Sequence, residues 1–320
     1  MTPQPPPKDL FQHRLLFVTG KGGVGKTTVA AALGLAAAQA GMRVILCELD
    51  ARERMGQLFG ESTRGFEEVE VAPDMSAIAI DPQHAIEEYM LLQIRVRPVY
   101  DMLFKNRIFD YFAAATPGLS ELVTIGKVWE LAQPHRLTKG APEYDLVIVD
   151  APATGHGLAM LEAPTTFQRI ARVGPIHRQA GHIQSFLHDP DKTAIVAVAT
   201  AEEMPVNETL DLREALQDRL SLDLDMAIVN ALEPVLFTDE EIKTLAAVDG
   251  DLAPIDAAIN QHKRANCQQE QLKRLEADLG RPLAKLPFLY EKSIGRAELA
   301  QLAEILAEEL AVPLAEATRG

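Results

Sequence analysis

The sequence has only two cysteines, Cys47 and Cys267, and they lie far apart along the chain. This predicts free thiols in a reducing cytoplasm rather than a disulfide framework. No apolar run approaches the roughly 18–20 residues that a membrane-spanning helix needs. The first ten residues hold four prolines and no apolar core, which is typical of neither a signal peptide nor a transit peptide. We therefore expect a cytoplasmic protein whose residues 1–13 form a mobile, proline-rich tail.

Positively charged residues are outnumbered, because the chain has 31 lysines and arginines but 46 aspartates and glutamates. The formal net charge is therefore −15 at pH 7. The chain has no run of lysine and arginine long enough to override this acidic balance locally. An acidic surface repels the phosphates of nucleic acids and the anionic headgroups of lipids. We therefore expect no nucleic-acid partner and no direct insertion into a membrane.

What the chain does contain is a glycine-rich loop, Gly20-Lys21-Gly22-Gly23-Val24-Gly25-Lys26-Thr27-Thr28. It follows an apolar run at residues 15–18 and opens an alanine-rich run at 29–40. A strand before the loop and a helix after it are the context that a phosphate-binding P-loop requires. The sequence therefore predicts a nucleotide-binding protein.

Each residue type in this loop has a chemical reason. Glycines let the backbone curl so that its N–H groups, with the positive end of the following helix, form a nest for phosphate oxygens. Lys26 is expected to reach the β- and γ-phosphates, and the Thr27 hydroxyl is expected to bind Mg²⁺. The predicted cofactor-binding residues of the loop are Gly20, Gly22, Gly23, Val24, Gly25, Lys26, Thr27 and Thr28.

Apolar runs and helical periodicity alternate along much of the remaining chain. Strands are predicted at 43–49, 77–80, 146–149, 194–199 and 226–229, and helices at 205–220, 253–279 and 297–310. Buried strands that alternate with helices are typical of a parallel sheet covered on both faces. We predict an α/β fold of the P-loop NTPase class, with a doubly wound, mostly parallel sheet in one domain over 14–320.

Residues 82–137 interrupt this alternation, because their apolar residues recur at helical rather than strand spacing. Ile86, Tyr89, Met90 and Ile94 form one such series. We predict a helical insertion subdomain at about 82–137.

Lys21 stands one residue after the first glycine, where an ordinary P-loop does not require a lysine. The loop resembles the deviant P-loop of the MinD, ParA and ArsA group. That resemblance implies a lysine that crosses a dimer interface onto the partner's phosphates, with the physics of an arginine finger. A solvated loop lysine is the alternative. If Lys21 acts in trans, the working unit is a dimer, either of this chain or with a paralogue.

A second motif, Asp150-Ala151-Pro152-Ala153-Thr154-Gly155-His156, ends the predicted strand at 146–149. It resembles the D-T-A-P-T-G-H switch of the ArsA arsenical-pump ATPases and of the ATPases that target tail-anchored membrane proteins. The resemblance covers about residues 14–310 and implies an ATPase that uses ATP and Mg²⁺. It implies that Asp150 holds Mg²⁺ through water and that Gly155 reads the γ-phosphate. It also places Asn230 and Pro287 near the adenine, although Asn230 could instead cap a strand end.

The first switch departs from the resembled family, which reads S-T-D-P-A-H after its second strand. Here the corresponding run is Glu48-Leu49-Asp50-Ala51-Arg52-Glu53. The retained Asp50 is expected to orient the attacking water and to contribute to the Mg²⁺ site, with a turn aspartate as the alternative. The lost proline and histidine point to slow hydrolysis. The predicted catalytic residues are Lys21, Lys26 and Asp50, and the predicted metal residues are Thr27, Asp50 and Asp150.

The cysteines separate this chain from three relatives of that group. Cys267 has no second cysteine in a C-x-x-C pair, so the zinc site of the eukaryotic targeting ATPases is not expected. A metalloid site needs several converging thiolates, which Cys47 and Cys267 cannot supply. Neither cysteine matches a cluster ligand of the nitrogenase iron protein.

Four functions remain open from the sequence. The first is a dimeric ATPase switch that drives or regulates a membrane partner, as ArsA-type proteins do for an anion pump. The second is a targeting factor that binds an apolar client in the helical insertion, whose apolar residues could equally be its own core. The third, a MinD-like positioning ATPase, is disfavoured because the predicted helix at 298–310 has no lysine or arginine. The fourth is a nucleotide-dependent scaffold. We favour the first.

Overall fold

The computed structural model of the chain describes residues 10–49, 54–61, 65–93, 116–138, 140–248 and 253–311. Asp50 lies outside the described residues, as do the apolar residues of the predicted insertion between 94 and 115. The roles predicted for those residues therefore stay predictions.

Among the described residues, eight strands form one sheet in the order β3-β4-β2-β5-β1-β6-β7-β8. Neighbouring strands are parallel except β3 and β4, which form an antiparallel pair at one edge. The strands are β1 (Leu15–Thr19), β2 (Val44–Glu48), β3 (Val69–Ala72), β4 (Met75–Ala79), β5 (Leu146–Asp150), β6 (Thr193–Thr200), β7 (Met226–Leu232) and β8 (Leu283–Pro287). The five predicted strands are confirmed as β2, β4, β5, β6 and β7.

Helices cover both faces of the sheet. They are α1 (Lys26–Gln39), α2 (Arg54–Phe59), α3 (Pro82–Gln93), α4 (Leu119–Leu131), α5 (Thr154–Ile170), α6 (Pro175–Leu187), α7 (Glu203–Ala215), α8 (Asp239–Ala246), α9 (Ala253–Leu279) and α10 (Arg296–Glu309). One core lies under α1 and α10, where Leu33 and Leu302 are buried. The other lies under α4, α5, α7 and α9, where Ile125, Leu161 and Leu275 are buried. This arrangement confirms the doubly wound α/β fold.

Several elements were not predicted from the sequence. Gly155, Gly157 and Pro164 all lie within α5 and weaken its helix signal. Tertiary packing overrides that weak propensity, because Leu161 and Phe167 of the same helix are buried in the core. The strands β3 and β8 lie at the two edges of the sheet and are only partly buried, so they lack the continuous apolar run of a central strand.

The predicted tail at residues 1–13 differs from the structure at its last residues. Leu10–Gln12 forms one turn of 3-10 helix, and Leu10 and Phe11 are buried in the core on the α1 face. The ring of His13 lies 2.9 Å from the carbonyl oxygen of Leu10. These two apolar side chains fix residues 10–13 to the domain because their burial removes apolar surface from water.

A buried network of charges joins the described helices of the predicted insertion to the edge of the sheet. Lys127 of α4 forms ion pairs with Glu88 of α3 at 2.7 Å and with Glu130 at 3.2 Å. Arg136 contacts Glu130 at 2.8 Å and Glu68, which precedes β3, at 2.7 Å. Burial alone would raise the pKa of Glu130, but its hydrogen bonds with Arg136 and the charge of Lys127 outweigh that effect and lower it. The network thus orients α3 and α4 against the sheet.

Arg136→Ala tests this network. The Arg136 side chain is 2% exposed. Its removal leaves Glu68 without its cation and Glu130 with Lys127 alone, so we expect a loss of about 3–5 kcal/mol in the free energy of unfolding. Urea denaturation followed by circular dichroism measures the loss. Arg43→Ala is the control, because Arg43 pairs with Asp145 at the surface, and exposed pairs contribute little. Equal stability of the two variants would contradict the assignment.

Candidate functional site

The glycine-rich loop lies at the carboxyl end of β1 and leads directly into α1. Gly20 has φ of +146°, and a Cβ there would lie 2.1 Å from the carbonyl oxygen of Val198 on β6. Gly25 has φ of +88°, and its Cβ would lie 2.3 Å from the Nδ2 atom of Asn230 on β7. Both positions therefore require glycine, and the loop is held tightly against two neighbouring strands.

The two lysines of the loop point in different directions. The Nζ atom of Lys26 donates to the carbonyl oxygens of Gly20 at 3.1 Å and Lys21 at 3.0 Å, so its charge lies over the loop. Burial lowers the pKa of Lys26, and the nearby charge of Asp150 acts in the opposite direction. Lys21 instead forms an ion pair with Glu208 of α7, and its side chain is 26% exposed. Lys26 is thus placed for a phosphate of its own nucleotide, whereas Lys21 is turned away from the loop.

A set of oxygen ligands lies beside the start of α1. The Thr27 hydroxyl donates to the Oδ2 atom of Asp150, at the end of β5, over 2.6 Å. Thr19 ends β1 and Thr154 begins α5. Their side-chain hydroxyls are buried and have no hydrogen-bond partner among the described residues. Mg²⁺ prefers hard oxygen ligands and usually keeps waters and nucleotide phosphates in its shell. The residues present therefore fit a Mg²⁺·nucleotide complex.

Glu48 ends β2 beside Asp150 and is 3% exposed. Its carboxylate accepts hydrogen bonds from the backbone N–H groups of Arg54 at 3.1 Å and Met55 at 3.3 Å, at the start of α2. Burial raises the pKa of Glu48, the two backbone hydrogen bonds oppose that rise, and the charge of Asp150 adds to it. A second carboxylate therefore lies at the metal side of the site.

On the other side of the loop, β7 and β8 end next to each other. The Nδ2 atom of Asn230 donates a hydrogen bond to the carbonyl oxygen of Val24 at 3.0 Å, so Asn230 fixes the loop. The same residue is predicted to lie near the adenine base. Pro287 ends β8 and is paired in register with Leu232 of β7. The next residue, Phe288, is 41% exposed. The structure thus brings the two predicted adenine-side residues to one edge.

The remaining predicted residues are placed as follows. Gly155 lies in the first turn of α5, directly after Asp150 and its loop, and a Cβ there would meet nothing within 4 Å. Thr28 lies in the first turn of α1. The described residues of the predicted site therefore converge on the carboxyl edge of β1, β5, β7 and β8.

Comparison with known proteins gives the family. A profile of the anion-transporting ATPases matches residues 13–183 and 176–308. The chain belongs to the anion-transporting ATPase family. It is therefore an ATPase, and the resemblance drawn from its two phosphate-side motifs is confirmed.

Individual relatives cover most of this ATPase. The ATPase BagA of Mycobacterium tuberculosis is 30% identical over 306 residues, which are 94% of this chain and 86% of BagA. The ATPase GET3 of Chaetomium globosum is 26% identical over 94% of this chain and 92% of its own. A putative arsenical pump-driving ATPase of Halobacterium salinarum is 26% identical over 90% of this chain but only 43% of its own length. Among the described helices, none combines the length and the apolar character that crossing a bilayer requires.

Two acidic residues of the site were not predicted from the sequence. Glu48 lies in the run that departs from the S-T-D-P-A-H pattern. That departure, a glutamate in place of serine, is the sequence feature that could have indicated its role. Glu208 lies in a stretch that is predicted to be helical, and nothing in the sequence indicates that it meets Lys21. Partners so far apart in the chain are brought together only by the packing of α7 beside the loop.

Gly25→Ala tests the tight contact between the loop and β7. The left-handed backbone and the contact with Asn230 together should lower nucleotide affinity about tenfold or more, given the ~1–3 kcal/mol cost of such strain. Titration with a fluorescent ADP analogue measures the affinity. Gly41→Ala is a matched control, because Gly41 also has φ of +88° but a Cβ there would face open space. An unchanged affinity in Gly25→Ala would show that the loop is not held in this way.

Proposed function

We propose that this ATPase is a dimeric switch that couples Mg²⁺·ATP hydrolysis to a membrane partner. One observation carries the proposal: the ammonium group of Lys21 lies outside the loop that Lys26 covers, paired with Glu208 at a partly exposed position. A lysine that does not serve its own loop is available to the nucleotide of a second copy once it leaves Glu208. In phosphoryl transfer such an added cation stabilises charge in the transition state.

The chain's own groups would divide the work of hydrolysis. The loop N–H groups and Lys26 hold the β- and γ-phosphates, while Thr27 and Asp150 hold Mg²⁺, which neutralises phosphate charge when bound. Asp50 orients the attacking water, and Lys21 of the second copy stabilises the charge that develops on the γ-phosphate. Asn230 fixes the loop and contacts the adenine edge. Catalysis is then mainly positioning and electrostatic stabilisation.

The cysteines limit what such a switch can handle. Cys47 is buried within β2, where burial raises the pKa of its thiol, and Cys267 is exposed on α9. The two thiols therefore cannot converge on one metalloid ion. Both are free, which supports the predicted cytoplasmic location. We propose that any anion concerned is bound by the membrane partner rather than by thiolates of this chain.

Lys21→Ala should abolish ATP hydrolysis while leaving ATP affinity within about twofold, because the lysine acts only on transition-state charge. The comparable loss for arginine fingers is about 10³–10⁵ in rate. Steady-state hydrolysis and equilibrium ATP binding, measured on the same preparation, separate the two effects. Wild-type turnover in Lys21→Ala would remove the lysine from the mechanism.

Mixing two inactive variants tests whether the lysine acts in trans. In a mixed dimer of Lys21→Ala with Asp50→Asn, the first subunit keeps its own Asp50 and receives an intact Lys21 from its partner. Random pairing should restore about a quarter of wild-type activity, because half of the dimers are mixed and each has one complete site. No restoration in a mixture shown by native mass spectrometry to contain mixed dimers would mean that Lys21 acts within its own subunit.

A second function, binding of an apolar client, is supported by a cavity between α3, α4 and α6. Its volume is about 190 Å³, and Tyr89, Leu122 and Ile183 line it. Leu137 and Ile176, which also line it, are 50% and 45% exposed. An apolar surface that opens to solvent between helices is a common mode of helix recognition.

The only tryptophan of the chain, Trp129, lines this cavity and reports on its occupancy. An apolar helical peptide should shift Trp129 emission to the blue because it excludes water from the ring. Leu137→Asp should weaken that response about tenfold, since a charge is introduced against the apolar peptide. Leu236→Asp is the control, because Leu236 is 57% exposed and does not line the cavity. Equal binding by both variants would rule out a client site here.

A further inference from the structure

We infer that Glu48 is an acidic group of the Mg²⁺ site, acting on the bound ion beside Asp150. The inference rests on the proposed Mg²⁺·ATP site. It is not carried over from the family, because Glu48 stands where the resembled switch motif has serine.

Position is the first argument. β2 and β5 are parallel neighbours, and Glu48 is the register partner of Asp150 at their carboxyl ends. Side chains alternate along a strand, so Glu48 shares a face with Leu46, and Asp150 shares it with Ile148. Leu46 and Ile148 belong to the core under α1. Both carboxylates therefore lie on the face that α1 covers, at the end where Lys26 and Thr27 open the helix.

Orientation is the second argument. The two oxygens of the Glu48 carboxylate each accept one backbone N–H, from Arg54 and Met55. A carboxylate oxygen has two lone pairs, so each oxygen keeps one for another ligand. The side chain is 3% exposed and is held in place before any ion arrives. Fixed carboxylates of this kind suit Mg²⁺, which demands near-ideal geometry.

Charge is the third argument. Among the described residues Glu48 forms no ion pair. Arg54 lies near enough to Glu48, and Lys26 near enough to Asp150, for an electrostatic interaction between their charges. Two neighbouring carboxylates in a buried position repel each other and lose hydration. Bound Mg²⁺ would relieve both costs, and one or two carboxylates are the usual protein share of its shell.

A purely local role for Glu48 is the rival explanation, because it also caps α2. The two roles make opposite predictions for Glu48→Gln, which keeps the volume and one acceptor but removes the charge. If Glu48 only caps α2, the variant loses stability without nucleotide and its response to Mg²⁺ is unchanged. If Glu48 also acts on Mg²⁺, the variant responds more weakly to Mg²⁺ whatever the cap costs in stability, because the side chain no longer carries a negative charge.

The experiment is titration of a fluorescent ADP analogue, in EDTA and over a range of Mg²⁺ concentrations. For Glu48→Gln we expect affinity in EDTA within about twofold of wild type, and a half-maximal Mg²⁺ concentration about tenfold higher, as for other groups that support a metal. Glu241→Gln is the matched control, because Glu241 accepts from the N-cap residue Thr238 of α8 on an exposed helix. It should leave the Mg²⁺ response unchanged.

Two further variants make the outcome decisive. Glu48→Asp keeps the charge and shortens the cap, so its half-maximal Mg²⁺ concentration should rise less than that of Glu48→Gln. Asp150→Asn should weaken the Mg²⁺ response by itself. If Asp150→Asn does so and Glu48→Gln does not, the role of Glu48 is overturned. If neither does, the proposed Mg²⁺ site itself is wrong.

Discussion

The contact between the phosphate loop and β7 is the constraint on which the rest of the site depends. The Asn230 amide donates to the carbonyl oxygen of Val24, and the space beside it admits only a glycine at position 25. On the other side, Gly20 lies against the backbone of Val198. The loop is therefore fixed between two strands before nucleotide binds, so that ordering the loop adds little entropy cost to binding.

Charges of both signs surround this fixed loop, and each is held by a different element. Lys26 is bound by loop carbonyls, Asp150 by Thr27, Glu48 by the start of α2, and Lys21 by Glu208 of α7. Under the proposed function, nucleotide binding would be coupled to changes at these contacts, because a ligand shifts a conformational equilibrium only through its different contacts with the two states.

Away from the nucleotide edge, the described helices of the insertion are oriented by buried ions rather than by apolar packing alone. Lys127, Glu130 and Arg136 connect α3 and α4 to the segment before β3. An apolar cavity lies above this network and opens to solvent. The described part of the chain thus combines an apolar cavity that is open to solvent with two separate thiols, one buried in β2 and one exposed on α9.

The sequence by itself determined the class of fold and the phosphate side of the site. Long apolar strands, the glycine loop and Asp150 carry their signal within a few neighbouring residues, so Thr27, Lys26 and the strand ends could be assigned without coordinates. Helices α5 and α6 were not predicted, because their glycine and proline residues lower the helix propensity of these segments. Tertiary packing compensates for that low propensity. Only the tertiary structure decided that Lys21 meets Glu208, that Asn230 fixes Val24, and that Glu48 stands beside Asp150. Those contacts join residues distant in the chain, and strand order, which the sequence does not encode locally, is what brings them together.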